Sequence, residues 1–178
     1  MKHYLFILFF SLFSVLAINA KVNITDQFDK RGLVETSWYS FSSSKNLSVP
    51  DVHIKFRYDN GIEYMEIKYA HNQEVIISKN TKVEIICDKN KHTSYCLENS
   101  ISTIGGGSID YGHSQKFGTH SKYRGDFSWL LDNHPKVIKI ESRNKTLEIK
   151  LEKKYYKEIS NIYKKFFETI NKHYQKKK

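Results

Sequence analysis

His53-Ile-Lys-Phe-Arg-Tyr58, then Asp59-Asn60-Gly61, then Ile62-Glu-Tyr-Met-Glu-Ile-Lys-Tyr69: this stretch decides the fold. Apolar and polar residues alternate on both sides of Asn-Gly. Strict alternation is the signature of a half-buried strand, and Asn-Gly suits a two-residue type I′ turn because both positions need positive φ. The stretch predicts a β-hairpin with one wet face and one dry face.

Working outward, Leu33-Val-Glu-Thr-Ser-Trp-Tyr-Ser-Phe41 is rich in β-formers and reads as a preceding strand, followed by a Ser/Asn/Pro-rich loop over 42–50. Glu74-Val-Ile-Ile-Ser78 and Lys82-Val-Glu-Ile-Ile-Cys87 read as short strands around a turn at Asn80. His92 to Leu97 pairs back on the second of them. Gly125-Asp126 opens a short helix over Phe127-Ser-Trp-Leu-Leu131, with Asp126 as N-cap and Pro135 beyond its end. Val137-Ile-Lys-Ile-Glu-Ser142 and Thr146-Leu-Glu-Ile-Lys-Leu151 form another hairpin around Arg143-Asn144-Lys145.

The period then changes. Tyr155, Ile159, Ile162, Tyr163, Phe166, Phe167, Ile170 and Tyr174 recur at three- and four-residue steps between Lys, Glu and Asn, which predicts an amphipathic helix over 155–174. A lone antiparallel sheet must cover one face, and this is the one long helix the sequence offers for it. The expected fold is α+β and mainly antiparallel β, a twisted sheet or sandwich of hairpins with one C-terminal helix packed on it. It fills a single domain over 21–178.

Residues 1–20 read as a secretory signal peptide. Lys2 supplies the charged start, Tyr4 to Leu16 the apolar run, and Ala17 and Ala20 the small residues before cleavage, with Ala20 preferred because charge resumes at Lys21. The run is shorter than the roughly 20 residues that span a bilayer, and no cysteine follows for a lipid anchor. The expected location is periplasmic or secreted, without a membrane span after cleavage. In an oxidising compartment Cys87 and Cys96, separated by Asp88-Lys-Asn-Lys-His-Thr-Ser-Tyr95, are expected to close a cross-strand disulfide.

The order of Trp38, Ile54-Lys-Phe-Arg-Tyr58, Tyr64-Met-Glu-Ile-Lys68, Ile76-Ile-Ser-Lys-Asn-Thr-Lys-Val-Glu-Ile85, a Gly-rich stretch, Leu130-Leu131, Lys136-Val-Ile-Lys-Ile140, a hairpin and a final helix resembles a loose group of uncharacterised secreted proteins of Bacteroidetes bacteria over most of 33–174. The resemblance implies an exported location and a fold, and no activity. The two cysteines and the His-rich middle are not features of that group.

Function is less legible. The formal charge is +10, from 29 Lys and Arg against 19 Asp and Glu, with the lysines spread along the chain. A basic surface attracts acidic partners through its long-range field, and a protein or an anionic envelope surface are the partner classes left open. Nucleic acid is disfavoured by export, although Tyr64, Lys68 and Tyr69 interleave rings with cations as nucleic-acid platforms do. Asp110-Tyr-Gly-His113 through His120-Ser-Lys-Tyr-Arg124-Gly-Asp126 is where titratable groups crowd. His113, His120 and Asp126 are the candidate catalytic residues of a small hydrolase or nuclease, beside Lys122, Tyr123 and Arg124 as candidate binding residues. The spacing fits no zinc signature, and the Gly/Ser/His/Lys composition is that of an exposed loop, which is the favoured reading. Gly105-Gly-Gly-Ser108 lacks the Lys-Ser/Thr of a phosphate loop, so no cofactor is implied, and no G-x-S-x-G elbow is present. Asn23, Asn46 and Asn144 begin glycosylation sequons that would matter in a eukaryote. The reading favoured by sequence is a non-enzymatic exported binding domain.

Overall fold

The computed structural model describes residues 22–24, 33–41, 51–71, 74–101, 103–104 and 117–175. The expectations for the leader over 1–20, for Gly105-Gly-Gly-Ser108, for Asp110 and for His113 lie outside the described residues.

The central hairpin forms as its sequence dictates. β4 (Asp51–Asp59) and β5 (Ile62–His71) pair antiparallel from Asp59↔Ile62 to Asp51↔Ala70. Asn60 and Gly61 turn the chain at φ of 51° and 84°, the left-handed pair that a type I′ turn requires. Val52, Ile54 and Phe56 point to the core with Met65, Ile67 and Tyr69, each at most 5% exposed. This side is the inner face.

The remaining strands extend the hairpin on both sides. They are β1 (Val22–Ile24), β2 (Val34–Thr36), β3 (Tyr39–Ser40), β6 (Ile76–Ile77), β7 (Lys82–Ile86), β8 (Lys91–Cys96), β9 (Ser100–Ile101), β10 (Thr103–Ile104), β11 (Phe117–Arg124), β12 (Val137–Glu141) and β13 (Thr146–Lys150). The main sheet runs β1-β2-β4-β5-β11-β8-β7-β12-β13, with β3 beside β4 and β10 beside β11, and β6 pairs β9 separately. All pairings are antiparallel.

Helix α1 (Lys153–Gln175) packs its Ile159, Ile162, Tyr163, Phe166 and Ile170 stripe inward. Its neighbours are β1, β2, β4 and the 3₁₀ turn Ser128–Leu131. Phe56 is the anchor: its ring lies 5.2 Å from Tyr163, 6.0 Å from Phe166 and 6.2 Å from Phe127, distances at which tilted aromatic pairs attract. Hydrogen bonds also tie the helix to the sheet, among them Tyr39 Oη to Glu158 at 2.5 Å and Tyr163 Oη to Glu63 at 2.8 Å. The fold is thus α+β, a large antiparallel sheet with a C-terminal helix packed on it. No helix among the described residues is long and apolar enough to cross a membrane.

Three local expectations need correction. The strand expected over 33–41 is broken, because β2 and β3 meet β4 in different registers. From Glu35↔Arg57 to Tyr39↔Ile54 the β2–β3 side spends four residues (35 to 39) against three on β4 (57 to 54). That extra residue is a β-bulge, and Thr36 Oγ1 accepts the Phe56 N–H at 3.0 Å there.

The segment around His120, read as an exposed loop, is a central strand: β11 pairs with β5 from Phe117↔His71 to Arg124↔Tyr64. Its inward residues Thr119, Ser121 and Tyr123 include two hydroxyl side chains, which hide the apolar alternation.

The Cys87–Cys96 disulfide is overturned; both thiols are free and buried. The hairpin turns tightly at Cys87–Asn90, where Cys87 N–H donates to Asn90 O, and the register runs from Ile86↔Lys91 to Lys82↔Tyr95. Cys87 therefore sits at the turn and Cys96 at the far end of the ladder, on the order of 15–20 Å away at about 3.3 Å per residue, whereas a disulfide needs Cα atoms within about 7 Å. Cys96 Sγ donates instead to Glu98 O at 3.2 Å. Burial, reinforced by neighbouring Asp88, pushes the Cys87 thiol up.

Candidate functional site

On the outer face the alternation places His53, Lys55 and Arg57 on β4, Tyr64, Glu66 and Lys68 on β5, and His120, Lys122 and Arg124 on β11. Cross-strand neighbours on one face stand close enough for their side chains to interact. Three rows follow from the register: His53–Lys68–His120, Lys55–Glu66–Lys122 and Arg57–Tyr64–Arg124.

The bulge delivers a further residue to this face. Even-numbered residues of β2 point inward, Val34 and Thr36 among them, so an unbroken strand would bury residue 38. The extra residue reverses the parity: Tyr39 pairs with inward-facing Ile54, and Trp38 turns outward. Lys68 Nζ lies 4.3 Å from the Trp38 ring centroid and Lys55 Nζ 5.9 Å, while His120 meets the ring edge-on at 5.4 Å. A cation over an indole face is attracted by the ring quadrupole. Lys122 similarly covers Tyr64 at 4.3 Å.

Glu66 sits at the centre, 6% exposed although it faces outward. His120 Nε2 donates to its carboxylate at 3.0 Å. Burial pushes the Glu66 carboxyl up, but the hydrogen bond from His120 and the charges of Lys55, His120 and Lys122 outweigh it and hold the group below its ordinary value. Lys68 is also lowered, but for a different reason: burial disfavours its ammonium, and nearby Lys55 adds to the effect. Lys55 has a second acid, Glu35, at 2.6 Å, and Arg57 pairs with Asp59 at 2.9 Å. The wing is a crowd of cations around one sunken carboxylate.

The residues singled out by sequence are not all brought together. His120, Lys122 and Arg124 lie on this face. Tyr123 points the other way, 0% exposed in the core, where burial drives its phenol far above the usual range. Asp126 lies beyond the end of β11, where its carboxylate accepts the Ser128 N–H at 2.8 Å and is held low by that bond; the N-cap of the 3₁₀ turn is Phe127 and not the expected Asp126. His120 thus takes Glu66, and not Asp126, as its acidic partner. Among the described residues no three His, Cys, Asp or Glu side chains converge as a metal site would require. One Ser–His contact is worth weighing. Ser160 Oγ donates to Asn133 O at 2.8 Å and meets His134 Nδ1 at 3.0 Å. Its proton is already committed to a carbonyl, so His134 is the donor and the pair fastens α1 to the loop before β12. A serine nucleophile needs its proton on the base instead.

Trp38, Lys55, Tyr64, Glu66 and Lys68 were missed as a group. The period-two pattern put Lys55, Tyr64, Glu66 and Lys68 on one face, but β11 had to be recognised as their neighbour. Compared with protein-family models, with curated proteins and with solved structures, the chain gives no match.

Proposed function

We propose that this chain is an exported, non-enzymatic binding domain that presents the outer face of β4, β5 and β11 to an acidic partner. The observation that carries the reading is the concentration of Lys55, Arg57, Lys68, Lys122 and Arg124 on three adjacent strands around Trp38, with Glu66 as the sunken counter-ion. A clustered surface of one sign steers an oppositely charged partner and holds it. Export is supported by the leader-like sequence of residues 1–20.

The test is retention on immobilised heparin in a salt gradient. Wild type is expected to elute at elevated salt, because interactions between exposed charges are screened. The variant Lys55→Ala/Lys68→Ala/Lys122→Ala is expected at clearly lower salt, and Lys139→Ala/Lys150→Ala, at the far end of the same outer face, at nearly the wild-type position. No retention, or equal losses in both variants, would overturn the reading. For export, N-terminal sequencing of protein recovered from the periplasm or medium is expected to begin at Lys21; intact chain confined to the cytosol rejects it.

The His120–Glu66 hydrogen bond favours a second reading, a small hydrolase or nuclease using His120 with His113, since a carboxylate can orient a catalytic imidazole. Under that reading His120→Ala abolishes a measurable hydrolytic activity; an unaffected activity dismisses it.

A further inference from the structure

We infer that the acidic partner is a polysaccharide in which sugar acids alternate with neutral sugars, laid across the strands along the row Arg57–Tyr64–Arg124–Tyr95–Lys82. The inference rests on the anionic-partner reading above and names its chemistry.

The row follows from four registers. Arg57 stands opposite Tyr64, Tyr64 opposite Arg124, Arg124 opposite Tyr95, and Tyr95 opposite Lys82. Cation and phenol therefore alternate over five neighbouring strands, β4, β5, β11, β8 and β7. With neighbouring strands about 4.8 Å apart, the Cα atoms of successive basic residues are about 9.6 Å apart and the row is about 19 Å long along the backbone. Between each pair of basic residues lies one phenol: Tyr95 is open at 57% exposed, and Tyr64 carries Lys122 over one face at 4.3 Å.

That spacing selects the ligand. One charge per two-ring repeat, with a neutral ring between, is the charge pattern of an alternating acidic polysaccharide. A tyrosine face carries negative quadrupole density, which suits the C–H face of a pyranose, and the phenolic hydroxyl offers a donor and an acceptor to sugar hydroxyls. A nucleic acid carries a phosphate on every monomer and would leave alternate charges opposite a phenol. A membrane would want apolar anchors, yet the exposed large hydrophobic side chains among the described residues are only Tyr95 at 57% and Ile101 at 61%, and Ile101 is on β9, off the row.

The row is also prepared for binding. Its end cations are held in place, Arg57 by Asp59 at 2.9 Å and Lys82 by Glu141 at 3.1 Å. Arg124, at the centre, is exposed and makes no ion pair among the described residues. Side chains fixed before binding lose less freedom on binding, and the central uncommitted cation beside an exposed aromatic is where the binding energy should concentrate.

Isothermal titration of the full chain with hyaluronan fragments, dextran, oligo(dT) and phosphatidylglycerol vesicles tests this. Hyaluronan is expected to bind and dextran not. Tyr95→Ala and Arg124→Ala, both at exposed positions that leave the core intact, are each expected to weaken hyaluronan about tenfold or more, and Lys139→Ala less than twofold. Tighter binding to oligo(dT) or to vesicles than to hyaluronan, or hyaluronan binding indifferent to Tyr95 and Arg124, would overturn the polysaccharide while sparing the acidic partner. Failure to bind any of the three anionic probes would overturn both.

Discussion

The outer faces of the two wings of the sheet are built from the same residue types, yet they settle their charges differently. On β7, β8, β12 and β13 lysines and glutamates find each other: Lys82 with Glu84 and Glu141, Lys91 with Glu84, Lys139 and Lys150 with Glu148. On β4, β5 and β11 five Lys and Arg side chains share the face with the single sunken carboxylate of Glu66, and Glu35 and Asp59 stand at the margin. The first wing is a solvated surface whose charges answer one another, with Lys82 at its near edge also closing the cation–phenol row. The second keeps an excess of like charge on a rigid strand array, which opposes stability through self-repulsion and is intelligible if something outside answers it. A lysine-rich composition by itself cannot tell these cases apart; the strand register does.

The largest effect expected separates the inner faces of the wings. Phe56→Ala removes the ring on which Tyr163, Phe166 and Phe127 converge beneath the cationic wing and should cost about 3–5 kcal/mol, read by denaturant unfolding. A cost under about 1 kcal/mol would mean that α1 is not the cover of that wing.

Next comes Glu66→Gln, which should destabilise by about 1.5–3 kcal/mol, the range for a hydrogen bond to a charged group, while strengthening retention on heparin. The pH dependence has a definite sign. The folded carboxyl lies below its ordinary value of 4.5, so its contribution is present above that value and is lost as pH falls through the lower folded one. Wild type should shed stability over that acidic interval and Glu66→Gln should lack that component; parallel pH profiles would remove Glu66 from the centre of the comparison.

On the balanced wing, Glu148→Gln breaks only exposed pairs with Lys139 and Lys150, and its unfolding midpoint should stay within error of wild type. The smallest effect is none at all: since Cys87 and Cys96 are unbridged, dithiothreitol should leave the melting temperature unchanged, and a drop on reduction would restore the cross-link.

Much of this architecture could be read from the chain because local and tertiary preferences agree there. The Asn60-Gly61 turn, the β12–β13 hairpin and the α1 stripe all carry their period in the open. The failures came where tertiary pairing overrides a short-range cue. β11 presents Thr119 and Ser121 inward, so its alternation is polar on both faces, and only its pairing with β5 reveals a strand. Cys87 and Cys96 invited a bridge, but a tight turn at Cys87–Asn90 sends them to opposite ends of the ladder. The bulge before Tyr39 left no mark in composition, so nothing announced that Trp38 would face out. Of the candidate site, His120, Lys122 and Arg124 were visible and their neighbours were not.

Between the wings the sheet narrows. β11 reaches β8 through only Tyr123↔Cys96 and Arg124↔Tyr95, with Leu97 N–H bonding Lys122 O beside them, whereas β11 and β5 are matched over eight residues. Under tension applied across the strands this junction is where the fabric would tear first. A stiff chain spanning Arg57 to Lys82 would lie over it as a splint lies over a fracture, so occupancy should show up as mechanical reinforcement.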